Sequence, residues 1–527
     1  MKKLFLILLI IGWAGWAQAT MTAYVSPNLA TGDNDGSSWA NAWRQFANID
    51  WAALQTAAAS QPVYLYVKKG STSETPLILG GSGSSDTNRI FITTDPTDTG
   101  NNPIIKMSAA ITGSWADEGG GVYSIQPAGL ARDGLGAWQD TTTLLVKGES
   151  SALSAGQFWI DTATTPYTVY VRTTDSSDPG GHTIELSVAG TGVFLDGSTC
   201  IYNNGKNYIT ISQLKLMHGD FGDASNLRGG GVTMLDGSNI TFENNEIANT
   251  IGGYYHIQSS GTTILQNNYI HHTWNGKEIG AGGSGRGIVA GMLGTLYIRY
   301  NLVDETYVGI GASAGATSYV HHNIITNAHV NSLTACGTVA TPNYLFNNTI
   351  VHTPSFASGH AVSCQDGADD VSIYMQNNAV TVNNSGGEAL YLQRSTYSQI
   401  TTGNNLYQII APATAIGLIV STWYTTLESW QAALAGHGWT GNEAGTQATD
   451  PVFFSSTNFH LKSTSPAINA GANLCATLIT ATDYDGNPVC LGGLFVGSGT
   501  APEIGAYEYL YRGLNSGGFL SGGHGSF

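Results

Sequence analysis

The sequence predicts an all-β protein whose centre is a right-handed parallel β-helix, and three observations predict it. A five-residue pattern with Asn in its third place recurs along the middle of the chain. The flanking strands alternate apolar and polar residues, and their apolar positions fall into columns when the repeats are aligned. The composition holds 68 glycines but only 10% charged residues, which suits turn-rich β structure rather than a helical bundle.

The repeats are Glu243–Ile247, Gln266–Ile270, Arg299–Val303, His321–Ile325, Phe346–Ile350 and Gln376–Val380. Their Asn residues (245, 268, 301, 323, 348 and 378) are spaced by 23, 33, 22, 25 and 30. Ser212–Leu216 fits upstream with Leu214 in the Asn place, and Asn404-Asn405-Leu406 continues the series. Each repeat reads as three short strands; around Asn301 these are Leu296–Arg299, Leu302–Val303 and Val308–Ala312. Alternation turns one side of each strand inward. One inward column is Ile211, Phe242, Leu265, Ile298, Val320, Leu345 and Met375. Another is Leu216, Ile247, Ile270, Val303, Ile325, Ile350 and Val380. Stacked turns let each Asn bond to its neighbours, and Asn tolerates the left-handed backbone of a tight bend. A Thr column (Thr250, Thr273, Thr306, Thr353) runs nearby. The variable spacing falls between second and third strands, which puts the loops on one side of the rod.

The other segments follow in order. Lys2 and Lys3 precede an apolar run to Trp16 and the small-x-small Ala17-Gln18-Ala19, so residues 1–19 read as a cleaved signal peptide, too short to span a membrane. Residues 20–111 read as a cap and first turns, with a helix at Trp51–Ala59 closing the open strand edges. Residues 112–190 alternate with a different texture and predict an inserted antiparallel subdomain. The helix core runs over 191–410, and a capping segment over 411–513 carries a helical pattern at Tyr424–Gly436. A Gly/Ser-rich tail occupies 514–527. In an oxidising compartment Cys475 pairs with Cys490 and Cys336 with Cys364, leaving Cys200. The net charge of −17, from 19 basic and 36 acidic residues, argues against nucleic acid as partner.

The Asn ladder resembles the pectate-lyase-like superfamily of β-helix proteins over about residues 200–410. Asp450–Phe453, Ser465–Gly471, Asp483–Gly486 and Glu503–Glu508 resemble the closing segment of secreted bacterial β-helix proteins, of the choice-of-anchor type. Tyr24–Ser26, the run ending at Trp39 and Val63–Val67 resemble their opening segment. The resemblance implies a secreted protein acting on a polysaccharide, with its groove over the third strand and beside the loops before it. The Trp-Ile-Asp-His signature of pectate lyases is missing, since Trp159-Ile160-Asp161 is followed by Thr162. The paired Asp motifs of polygalacturonase-type hydrolases are missing too.

Candidate residues follow from the outward columns. Tyr297, Tyr319, Tyr344 and Tyr374 stack on successive turns beside Arg299 and His321, a pattern that suits sugar rings and equally an ordinary sheet surface. A polar column holds His218, Asn249, His272, Glu305, Asn327 and His352. Small residues Gly287, Gly309, Gly311, Ser332 and Ser363 predict a shallow floor on the third strand, with His256, His329 and His360 around it. The longest insertion, Trp274–Arg286, brings Lys277 and Arg286 there. β-Elimination needs a base and a cation against a uronate carboxylate, for which Lys277, Arg286 or Arg299, with a nearby His or Tyr, are candidates. Hydrolysis needs two carboxylates, with Glu278, Glu305 and Asp366 as candidates. Asp366, Asp369 and Asp370 are candidate ligands for calcium; no other cofactor is expected. The readings left open are a polysaccharide lyase, a glycoside hydrolase and a non-catalytic glycan-binding or adhesion protein. Oligomeric state is not legible.

Overall fold

The computed structural model describes residues 20–509 except 129, 131–135, 164, 188–198, 224–225, 258–259, 274–284, 292, 313–314, 354–358, 366–369, 384–385, 414, 479, 492–493 and 497–498. The expected signal peptide and Gly/Ser-rich tail therefore lie outside the described residues, as do Lys277, Glu278, Asp366 and Asp369.

Three long sheets of thirteen, ten and twelve strands run along a parallel β-helix. One turn shows the plan: Gly294–Arg299 in the first sheet, Leu302–Asp304 in the second, Val308–Ala312 in the third, then Ala316–His321 back in the first. Ile211, Phe242, Leu265, Ile298, Val320, Leu345 and Met375 pair in register and are buried, as the alternation predicts. A single apolar core runs from Ala23 to Trp439.

The Asn ladder is continuous. Side-chain amides donate to the next Asn Oδ1 from Asn268 to Asn301 (2.9 Å), then to Asn323 (3.0 Å), Asn348 (3.0 Å) and Asn378 (2.9 Å). Each also donates to a first-sheet carbonyl one turn earlier, such as Asn301 to Leu265. The ladder ends on buried Glu443, which accepts from Asn405 Nδ2 at 3.0 Å. Nothing polar in it is left unpaired, which is what burial requires. One expectation is corrected: the left-handed residue is the one before the ladder Asn. Asn244, Asn267, Tyr300, His322, Asn347 and Asn377 have φ between 51° and 58°, and the ladder Asn does not. A second left-handed bend follows the second sheet at His218, Asn249, His272, Glu305 and Asn327, so the polar column marks a corner.

Two helices close the rod. α1 (Trp51–Ala57) is capped by Asp50 and buries Leu54, while α2 (Leu427–Gly436) opens with a Thr426–Ser429 capping box and buries Trp430 and Leu434. The antiparallel subdomain is present as four- and five-stranded sheets between residues 108 and 187, around a separate core of Phe158, Ile160, Val169 and Val171. It enters the chain between Ile104–Lys106 of the second sheet and Thr199–Asn204 of the third, in the same connection that carries the longest loops. Its Glu185 reaches the first corner residue, His218, at 3.0 Å, and Trp138 stacks on that imidazole at 4.1 Å. Cys336–Cys364 and Cys475–Cys490 are bonded and Cys200 is buried and free. Residues 450–509 form a strap laid on the outside of the first two sheets. Its Leu478, Val489 and Phe459 pack on Phe346, Tyr344, Tyr374 and Ile324. No helix among the described residues is long and apolar enough to cross a membrane.

Candidate functional site

Parallel pairing brings residues far apart in sequence within one strand spacing, about 4.8 Å. At the corner between second and third sheets, Arg286 pairs with Val308, Val308 with Asn331 and Asn331 with His360. Tyr307 lies beside Gly285 and His329 beside Thr306, through backbone bonds. Arg286, Tyr307 and His329 therefore rise along one edge of the third sheet. Glu305 sits in the left-handed bend just before Tyr307, its carboxylate 2.6 Å from Nε2 of His272. His272 Nδ1 is 2.7 Å from His271 Nδ1, and His271 Nε2 is 3.2 Å from Glu246, so an acid–imidazole chain reaches across the corner. Arg286, His329, Glu305 and His272 stand on three neighbouring turns of this corner, with His272 and Glu305 in direct contact. Lys277 would enter from the same connection but lies outside the described residues.

Arg286 is the unusual member. Burial lowers its pKa from the ordinary guanidinium value, opposed by Tyr255 and Tyr307 beside it. No carboxylate among the described residues forms an ion pair with it, although acids outnumber bases almost two to one. Taking a guanidinium partly out of water without an anion is unfavourable, so the arrangement is complementary to an anion supplied from outside. His329 is also held down by burial, with Asp304 opposing.

The third sheet's outward column is Tyr255, Val289, Gly311, Thr334, Ser363, Tyr391 and Leu418 in register. It is shallow at Gly311, where a Cβ would meet no atom closer than 3.7 Å. Gly287 and Gly309 do not belong to this floor. A Cβ there would strike Val303 or Ile325 side chains at 2.6 and 2.7 Å, so those glycines serve the close approach of sheets at the corner. Ser332 is buried against His352 Nδ1 at 2.9 Å.

Several expected residues stand elsewhere. His256 is 0% exposed, with Nδ1 on Tyr254 and Nε2 on the Gly237 carbonyl. Burial pushes its pKa down to about 4, which removes it from any ligand-facing surface. His321 is buried against His322. Tyr297 and Tyr319 do stack, at 5.1 Å, but on the first sheet. Arg299 accompanies them, bonded to Gln266 and lying over Tyr297 and Tyr300. Asp370 accepts from Val339 N beside the first sheet, and no group of three metal-ligating side chains occurs among the described residues.

Tyr255 and Tyr307 beside Arg286 are not singled out by the sequence, nor are the side chains around His360. Glu388, fully buried, places Oε1 2.5 Å from Nδ1 of His360. Tyr391 stacks on that imidazole at 4.3 Å. Burial raises the Glu388 carboxyl, and the His360 contact opposes this. The available signal was spacing: Glu388 lies 28 residues after His360, and the Asn ladder advances 30 there.

No family model matches the chain, and no curated protein matches it. Solved structures do match. One described as a "Glycoside hydrolase" has a TM-score of 0.51 at 10% identity, covering 82% of this chain and 98% of its own. XylC in complex with xylose gives 0.45 at 11% identity (93% and 98%), and pectate lyase Pel9A 0.45 at 13% (94% and 97%). The first of these shares the overall fold of this chain. At these identities the likeness concerns fold alone.

Proposed function

We propose that the chain is a secreted carbohydrate-active enzyme that cleaves a uronate-containing polysaccharide by β-elimination at the Arg286 corner. The carrying observation is the guanidinium of Arg286, partly buried, with the Tyr255 and Tyr307 phenols close enough to act on its charge and no ion pair to a carboxylate among the described residues. In this reading Arg286 neutralises the uronate carboxylate and stabilises the enolate-like anion that forms next to it. Tyr307, Tyr255 or His329 takes the proton alpha to that carboxylate. The released electron pair forms the carbon–carbon double bond, the glycosidic C–O bond breaks, and the leaving oxygen gains a proton. Lys277, from the loop before Arg286, is a further cation for the same charge.

A hydrolase is the second reading, favoured by the carboxylates Glu246 and, two turns on, Asp304 and Glu305 along the corner. The deciding experiment incubates the full chain with polygalacturonate, alginate and glucuronoxylan, following both the ultraviolet absorbance of an unsaturated product and new reducing ends. Absorbance and ends together support elimination; ends alone support hydrolysis; neither sinks the enzyme. Arg286→Ala should lower kcat/KM by about 10²–10³-fold with an unchanged melting transition, as for loss of one group stabilising a developing anion.

A further inference from the structure

The third sheet carries a second built feature beyond the Arg286 corner. His360 stands three strand spacings from Arg286, roughly 14 Å, too far to act on one sugar atom with it. Its Nδ1 lies 2.5 Å from Oε1 of Glu388, a carboxylate with 0% exposure; the contact is an ion-pair approach without regular hydrogen-bond geometry, and Oε2 has no hydrogen-bond partner either. Burying a carboxylate with its oxygens unmet is costly, and such costs concentrate where a surface meets a ligand. A carboxylate on Nδ1 fixes the imidazole tautomer and leaves Nε2 as an acceptor on a ring that is partly exposed.

The surroundings add a platform. Tyr391 is partly exposed, stacks on His360 and stands in the same outward column as Thr334 and Ser363. Tyr391 pairs with Leu418, and Leu418 with Trp423 of an antiparallel hairpin. Trp423 is 44% exposed, a large apolar ring left open at the end of the column. The two rings lie two strand spacings apart, about 10 Å. Aromatic faces in line with hydroxyls and an acceptor nitrogen match pyranose rings, which offer apolar C–H faces and hydroxyl donors.

We propose that Tyr391, Trp423 and the Glu388-held His360 form a distal binding stretch for further sugar units of the same chain whose charged unit sits at Arg286. This rests on the glycan-cleaving reading and deepens it to a preference for long chains. Sugar units at the platform touch no reacting bond, so their binding energy improves capture of long substrates and leaves short ones untouched.

The test measures kcat/KM for oligosaccharides of increasing length and for the parent polymer, using whichever of the three uronate glycans is cleaved. The variants are Tyr391→Ala, Trp423→Ala and His360→Ala, with Tyr391→Phe as the conservative control. The wild type should gain with length. The three alanine variants should lose most of that gain, about tenfold each, while matching it on the shortest cleaved substrate. Tyr391→Phe should restore it, which separates a lost ring from a damaged fold. Equal length dependence in wild type and variants overturns the proposal. If none of the glycans is cleaved, the same variants are compared by affinity electrophoresis in gels containing each polymer. Retardation of the wild type relieved by Trp423→Ala and Tyr391→Ala upholds the platform although the enzymatic reading fails; no retardation, or retardation that the variants keep, overturns both.

Discussion

The first and third sheets both present outward aromatic columns in register, yet they have different fates. On the first sheet Tyr344 and Tyr374 stack at 4.8 Å and pack, partly buried, against the strap. Phe346 beside them is 2% exposed. On the third sheet Trp423 is left open and Tyr391 is partly exposed, as Tyr344 and Tyr374 still are, and the connections leading into that sheet carry the longest insertions, including the whole antiparallel subdomain. The difference teaches that a stacked column is no site in itself. Whether it meets solvent depends on where a later part of the chain comes to rest.

The comparison breaks most severely if Phe346→Ala, on the strapped face, changes catalysis. We expect it to cost about 3 kcal/mol of stability, measured by chemical denaturation, through loss of a buried ring. kcat should remain unchanged.

A second prediction separates strap from rod by pH. Burial pushes Asp483 of the strap up to about 6; burial raises Glu503 against the opposing hydrogen bond to Glu508, and burial together with the neighbouring Glu503 raises Glu508. His460 is raised by its bond to Asp485. A raised folded-state pKa gives stability that is complete below the unfolded value and lost as pH rises, so for Asp483 the loss falls between 3.8 and about 6. In the rod, burial lowers His256 to about 4 and His322 and His352 to about 3. Their contribution is complete above 6.5 and is lost as pH falls. Limited proteolysis should therefore release the strap more readily above pH 6 than below it. The rod should loosen in acid, and Asp483→Asn should flatten the strap's dependence. Opposite trends would refute the assignment.

The smallest effect is expected at Tyr297. Tyr297→Ala should change stability by less than about 1 kcal/mol and leave glycan cleavage unaltered, because its column belongs to the first sheet. A drop in kcat/KM would return that face to the site.

The sequence disclosed the rod better than the groove, for a physical reason. From the first strand through the ladder Asn to the second strand the repeats keep constant spacing, so Phe242, Leu265 and Ile298 align without knowledge of the fold. Insertions precede the third strand, so the sequence does not fix its register. Spacing alone therefore places Gly287 and Gly309 on the floor although they serve the corner, and does not reveal the Glu388–His360 contact. His256 reads as a surface residue until its column, Met234–His256–Ala290, is seen to face the core. The resting place of the strap is wholly non-local: nothing in Phe459 or Leu478 names Ile324 or Phe346 as partner. Arg286, Glu305, His272 and His329 were found because all border the variable connection.

The strap also changes how the rod comes apart. Stacked repeats touch only their neighbours and can fray one at a time from an end. Here Tyr300 accepts from Thr482, Asn347 donates to Glu503, Asn377 to Ala472 and Asn404 to Ala470. These anchors tie turns spread over more than a hundred residues to one covering segment. The C-terminal half of the rod is therefore expected to open as one cooperative block rather than turn by turn from its end.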